Sequence, residues 1–143
     1  MPSYQRLFRC EVITPAGRAY AGELVSAVFP APDGLVGVLG GRGPLVTLLG
    51  SGPLTVRPAS GNAEQYYVSG GFARFHENTL TLLPEQCMAV RDIDPEQAWE
   101  EINAAQQMPR ETPEERAARD EALQAARSKF SLAQEYRTEA DDI

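Results

Sequence analysis

The sequence predicts an α+β protein: an N-terminal antiparallel β-sandwich of about ten strands over residues 1–92, then an antiparallel α-helical hairpin over 93–143 that ends in a disordered acidic tail. Three observations carry this expectation. All twelve glycines lie at or before Gly71, and glycine is recruited by turns and bulges but costs a helix about 1 kcal/mol per residue. Charge divides at nearly the same point. Residues 1–92 hold seven acidic and seven basic side chains, whereas 93–143 hold 13 acidic against 6 basic, the whole of the chain's −7. The hydrophobic period also changes, from 2 in the first part to about 3.6 in the second.

The sandwich is read strand by strand. Phe8, Cys10 and Val12 alternate with Arg9 and Glu11, the signature of a half-buried strand. Thr14-Pro15-Ala16-Gly17 is a turn in which proline fixes φ at the second position and glycine relieves the fourth. Strands follow at Arg18–Glu23, Leu24–Phe29, Leu35–Leu39 and Leu54–Arg57, with Pro30-Ala31-Pro32-Asp33-Gly34 as a loop and Ser60-Gly61-Asn62 as a hairpin turn. Glu64–Val68, Phe72–Phe75 and Thr79–Leu83 form a meander with a turn at His76-Glu77-Asn78, and Cys87–Arg91 closes the set. Strands spaced this closely leave no room for helices between them, which indicates an antiparallel sandwich or barrel.

The hairpin announces itself through its start signals. Asp94-Pro95-Glu96-Gln97 and Thr112-Pro113-Glu114-Glu115 share one grammar: a capping residue, proline at the first helical position, and Gln or Glu three residues after the cap. Ala98, Ile102 and Ala105, flanked by Trp99, form the apolar stripe of the first helix, and Leu123, Ala126, Phe130 and Ala133 form that of the second. Pro109 ends the first helix, and the short connection favours an antiparallel pair. The seam is alanine-rich and buries little apolar area at about 25 cal/mol per Å². The expected pair is therefore marginal alone and able to leave the sandwich at modest cost.

Composition excludes several functions. An apolar fraction of 43% fits a folded globular chain, and no run approaches the roughly 18 apolar residues of a spanning helix. Met1 to Arg6 lack the layout of a signal peptide, and Cys10 and Cys87 sit among apolar strand residues. A soluble protein of a reducing compartment is expected. The acidic last third argues against nucleic acid or anionic lipid as a direct partner. His76 is the only histidine and lies in a polar turn, so neither a general base nor a metal site is expected. Ser69-Gly70-Gly71 lacks the lysine and following helix of a phosphate loop and reads as a bulge or tight packing point. No catalytic residue is expected. From the residues alone, a ligand-binding β-sandwich module with a helical interaction hairpin stays open. It would need an exposed aromatic platform, whereas Tyr66, Tyr67, Phe72 and Phe75 read as core and cross-strand pairs.

Four segments in register carry a resemblance. Cys10-Glu11-Val12-Ile13-Thr14-Pro15-Ala16-Gly17, Asp33 through Leu39, Gly43 through Leu49, and Val68-Ser69-Gly70-Gly71-Phe72 are similar to successive signatures of the ATP synthase epsilon subunit, called delta in mitochondria. The likeness covers about residues 5–91, and the hairpin matches by length and position. It implies a non-catalytic rotor subunit of the central stalk of a proton- or sodium-translocating F-type enzyme. Such a subunit binds gamma, rests on the polar loops of the c-ring, and lies at the cytoplasmic face of the bacterial inner membrane, reaching the membrane only through the complex. It also implies a hairpin that can extend to the alpha and beta subunits and inhibit ATP hydrolysis. The implied rotor contacts are Asp33, Gly34, Leu35, Arg42 and Pro44; the implied inhibitory contacts are Arg116, Arg119, Arg127, Lys129 and Arg137.

Three departures matter. Leu35 stands where the family usually has a glutamate associated with ring contact, and Arg42 stands where it has histidine. Some members bind ATP through Ile-Asp-x-x-Arg-Ala; here Ile93, Asp94 and Ala98 remain, but Gln97 replaces the arginine. Losing that charge-assisted donor forfeits about 1.5–3 kcal/mol. No cofactor is expected.

Overall fold

The computed structural model describes the backbone of residues 6–141. Nine strands come first: β1 (Phe8–Thr14), β2 (Gly17–Ala31), β3 (Gly34–Leu39), β4 (Leu45–Leu48), β5 (Gly52–Pro58), β6 (Glu64–Ser69), β7 (Phe72–His76), β8 (Thr79–Leu83) and β9 (Gln86–Ala89). A 3-10 turn at Val90–Asp92 leads into α1 (Pro95–Gln106) and α2 (Pro113–Asp141). The chain divides into two compact units, Met1–Met88 and Ala89–Ile143, where the sequence placed the change at 92/93.

The strands follow the order β4-β7-β8-β1-β2-β5-β6-β9, with β3 paired to β2. β2 serves both layers of the sandwich. Its first half, Gly17–Leu24, pairs antiparallel with β1, and its second half, Ser26–Ala31, pairs with β3. A register shift between Leu24 and Ser26 in its pairing with β5 marks the irregularity where it passes from one layer to the other. β1 and β8 pair in parallel, Cys10 opposite Leu80 and Val12 opposite Leu82. The inward positions of both layers meet in one core. Phe8, Cys10, Val12, Ala73, Phe75, Leu80 and Leu82 come from one side, and Phe29, Val38, Leu54, Val56 and Val68 from the other. The Phe8 and Phe75 rings meet edge to face at 5.7 Å.

Turn chemistry explains the connections. Thr14 Oγ1 donates to Gly17 O at 3.0 Å and accepts from Ala16 N at 3.2 Å, closing the β1–β2 hairpin as its residues predict. Glu77 and Asn78, both at positive φ (50° and 58°), make the two-residue turn between β7 and β8. Between β6 and β7 the chain leaves one set of neighbours for another, and Gly71 makes this possible. Its φ is 80°, and an added Cβ would collide with the carbonyl of Leu83. This agrees with the tight packing role read from Ser69-Gly70-Gly71.

Three expectations are corrected. The strands expected at 18–23 and 24–29 are one 15-residue strand, because the bulge bends it without breaking its pairing. A strand not predicted, β4, pairs with β7; with two expected strands merged into one, the described residues hold nine strands, in keeping with a sandwich of about ten. The stretch at 87–91 is a shorter strand, Gln86–Ala89, followed by the 3-10 turn.

In the second unit the helices pack through Ile102 and Ala105 of α1 and Leu123 and Ala126 of α2, with Met108, Ala122 and Phe130 against them. Both start signals operate. Asp94 Oδ1 accepts from Glu96 N at 3.0 Å. Thr112 Oγ1 accepts from Glu115 N at 3.1 Å, while Glu115 Oε1 accepts from Thr112 N at 3.0 Å, a complete capping box. α2 continues to Asp141, so the stretch before it expected as disordered tail is helical; Asp142 and Ile143 lie outside the described residues.

Candidate functional site

Among the described residues, no group of three or more His, Cys, Asp or Glu side chains could hold a metal ion. No helix is long and apolar enough to cross a membrane. His76 is exposed in its turn, its Nε2 3.6 Å from Glu77 Oε1. Three exposed surfaces hold the residues of interest.

The first surface runs from Asp33 to Pro44. Asp33 and Gly34 form the tip of the β2–β3 hairpin, where Ala31 pairs with Gly34. Leu35 and Leu39 point outward from β3, 63% and 64% exposed, so two large apolar side chains face solvent on one strand. The loop that follows is held from beneath. Asn78 Nδ2 donates to Leu7 O at 2.7 Å, and its Oδ1 accepts from Gly41 N at 3.0 Å. A Cβ at Gly40 would strike the backbone carbonyl of Arg6, so the loop lies tight against the N-terminal segment. Arg42 is exposed and spends one N–H on Gly43 O at 3.2 Å. Pro44 is exposed as well. The five residues expected to make a rotor contact thus share one exposed stretch.

The sequence did not single out a second surface. β4, β7 and β8 set Leu48 opposite Phe72 and Phe72 opposite Leu83. All three are exposed, as is Val46 at 71%. Contiguous apolar side chains on an outer sheet face mark protein-binding surfaces. The one available signal was the stretch Leu45-Val46-Thr47-Leu48-Leu49, apolar at four of five positions, which lacks the alternation of a one-sided strand. Of the four aromatics read as core or cross-strand pairs, Tyr67 and Phe75 are buried and Tyr66 packs against the core, while Phe72 is 48% exposed. Tyr66 O–H donates to Glu64 Oε2 at 2.8 Å, and burial together with that carboxylate raises its hydroxyl above the ordinary range.

The third surface is the helical unit. Of the five basic residues expected to meet a partner, Arg116, Arg127 and Arg137 are exposed. Arg116 donates to the carbonyls of Arg110 and Glu111 at 3.2 and 3.1 Å, bracing the interhelical connection. Arg119 is half-buried. Lys129 is buried, and its Nζ donates to both carboxylate oxygens of Glu101 at 3.0 and 3.1 Å. It fastens the two helices to each other. At the degenerate nucleotide motif, Asp94 caps α1, and Ile93 and Ala98 are buried. The motif residues therefore have structural work in this fold.

Comparison with known proteins gives a consistent result. The model of the ATP synthase delta/epsilon chain β-sandwich domain matches residues 7–90. The ATP synthase epsilon chain of Rhodopirellula baltica is 34% identical over 122 residues, covering 85% of this chain and 94% of that one. A chain in the Euglena gracilis mitochondrial ATP synthase structure (OSCP/F1/c-ring) superposes with a TM-score of 0.75 at 19% identity, covering 89% of this chain and 81% of that one. A chain in the central stalk/c-ring structure of the Tetrahymena thermophila mitochondrial enzyme gives 0.73 at 15% identity, covering 92% and 99%. At these identities the structural matches speak for the fold.

Proposed function

The chain belongs to the ATP synthase delta/epsilon chain family, and from that premise we propose that it is a non-catalytic rotor subunit coupling gamma to the c-ring, with a hairpin that restrains ATP hydrolysis. Its place would be the central stalk at the cytoplasmic face of the bacterial inner membrane, reaching the membrane only through the complex. The observation that carries the reading is the exposed stretch from Asp33 to Pro44, where Leu35 and Leu39 stand outside the core on a braced strand and loop. Apolar side chains held rigidly in solvent suit a protein contact better than any chemistry. In this assignment Leu35 and Arg42 meet the polar loops of the c-ring. The Leu48–Phe72–Leu83 face is free for gamma.

The regulatory part rests on the helical unit. Its helices are individually well capped, but alanines fill three of the seven packed positions between them, so docking buries modest area. Strong helices with weak docking suit a device with two packings of comparable free energy. Arg127 and Arg137, exposed and not engaged in bracing the interhelical connection as Arg116 is, are the basic groups that would meet acidic surfaces of the alpha and beta subunits.

Cysteine cross-linking tests the rotor contact. In a Cys10→Ala/Cys87→Ala background, Leu35→Cys should cross-link to a cysteine in the ring's polar loop within the assembled enzyme. Cross-linking at position 35 to gamma alone, or none to the ring, would remove the ring assignment.

A further inference from the structure

The helical unit carries a groove that the rotor reading does not use. Pro95, Glu96, Trp99 and Glu100 of α1 and Phe130 and Gln134 of α2 line about 420 Å³ of open space. The Trp99 and Phe130 rings lie 5.5 Å apart at an interplanar angle of 49°, and Trp99 is 53% exposed. A large aromatic left this open beside a partner ring offers its face to a visitor. Glu96 and Glu100, one helical turn apart, border that face, and neither makes an ion pair with a described residue. The neighbouring Lys129 is committed to Glu101.

We propose that this groove docks an arginine- or lysine-bearing segment of a partner polypeptide, the cation lying over Trp99 between Glu96 and Glu100. Charge complementarity selects the occupant. The indole face attracts a cation, the two carboxylates add charge-assisted hydrogen bonds, and the surrounding residues 93–143 hold 13 acidic against 6 basic side chains. The same field repels a nucleotide triphosphate, the ligand that the degenerate motif at Ile93 and Asp94 would suggest. The openness of the groove argues for a side chain over a free small molecule. Small-ligand sites bury about 70–90% of their ligand, which a groove between two surface helices does not do, whereas a side chain arrives already tethered to its backbone. The inference stands apart from the rotor assignment and does not require it.

Trp99 is the chain's only tryptophan, so its fluorescence reports the groove directly. The full chain would be titrated with an acetylated, amidated Arg-Leu-Arg peptide, and in parallel with its Glu-Leu-Glu counterpart and with ATP. The expected result is a saturable change in Trp99 emission with the arginine peptide alone, weakening as salt shortens the Debye length below about 10 Å. Glu96→Gln/Glu100→Gln should weaken binding about tenfold with the helical circular dichroism unchanged. No saturable change by about 10 mM peptide, well beyond a millimolar dissociation constant, would overturn the proposal. So would equal affinity in the double Gln variant, or an equal response to ATP. Sedimentation showing that the chain self-associates through Trp99 would assign the groove to a second copy and also overturn it.

Discussion

At the scale of single residues, the sandwich core holds its ionisable groups in their neutral forms. Burial, with the Glu11 carboxylate adding to it, pushes the Cys10 thiol up from 9.0 to about 12. Burial pushes Cys87 up to about 11. A raised pKa means that the folded chain holds the proton more tightly than the unfolded chain. The thiols' contribution is therefore fully present below about pH 9 and is lost as pH rises toward 11–12. Denaturant midpoints should fall between pH 9 and pH 11, and fall less in a Cys10→Ala/Cys87→Ala chain. Equal falls in both chains would place the alkaline loss on Tyr20 and Tyr66, whose hydroxyls burial also raises. Legibility at this scale was uneven. The inward residues Phe8, Cys10 and Val12 follow from alternation alone. Lys129 did not, because a lysine on a charged helix reads as solvated. A partner 28 residues away, Glu101, receives its ammonium group inside the hairpin.

At the scale of elements, caps were legible and bulges were not. Both helix starts are written locally, within four residues, so sequence reached them. Thr112→Ala should cost about 1 kcal/mol and speed hydrogen exchange of amides in the first turn of α2, because Glu115 N loses its acceptor. Unchanged protection there would mean that packing against α1, not the capping box, holds the turn. The continuity of β2 depends instead on pairings with β1, β3 and β5 that lie far apart in sequence. β4 was hidden for a related reason. Four residues behind Gly43-Pro44, with Val46 and Leu48 apolar yet exposed, lack the one-sided pattern that identifies a strand. The feature that concealed the strand is also what gives the β4–β7–β8 face its apolar outer row.

At the scale of the whole chain, the glycine and charge distributions already separated two kinds of structure, because backbone freedom and helix propensity act on every residue of a segment. Which surfaces meet partners was only partly legible. Asp33 to Pro44 came from resemblance, while the Leu48–Phe72–Leu83 row and the Trp99 groove required coordinates. The central claim assigns coupling to the sandwich and restraint of hydrolysis to residues 93–143, and one comparison tests it most directly. ATP synthase would be assembled with the full chain or with a chain ending at Asp92, and both ATP hydrolysis and ion-driven synthesis would be measured in sealed vesicles. The account predicts that the shortened chain raises hydrolysis and leaves synthesis largely intact. Unchanged hydrolysis would deny the hairpin its restraining role, and loss of synthesis would make it part of the coupling itself.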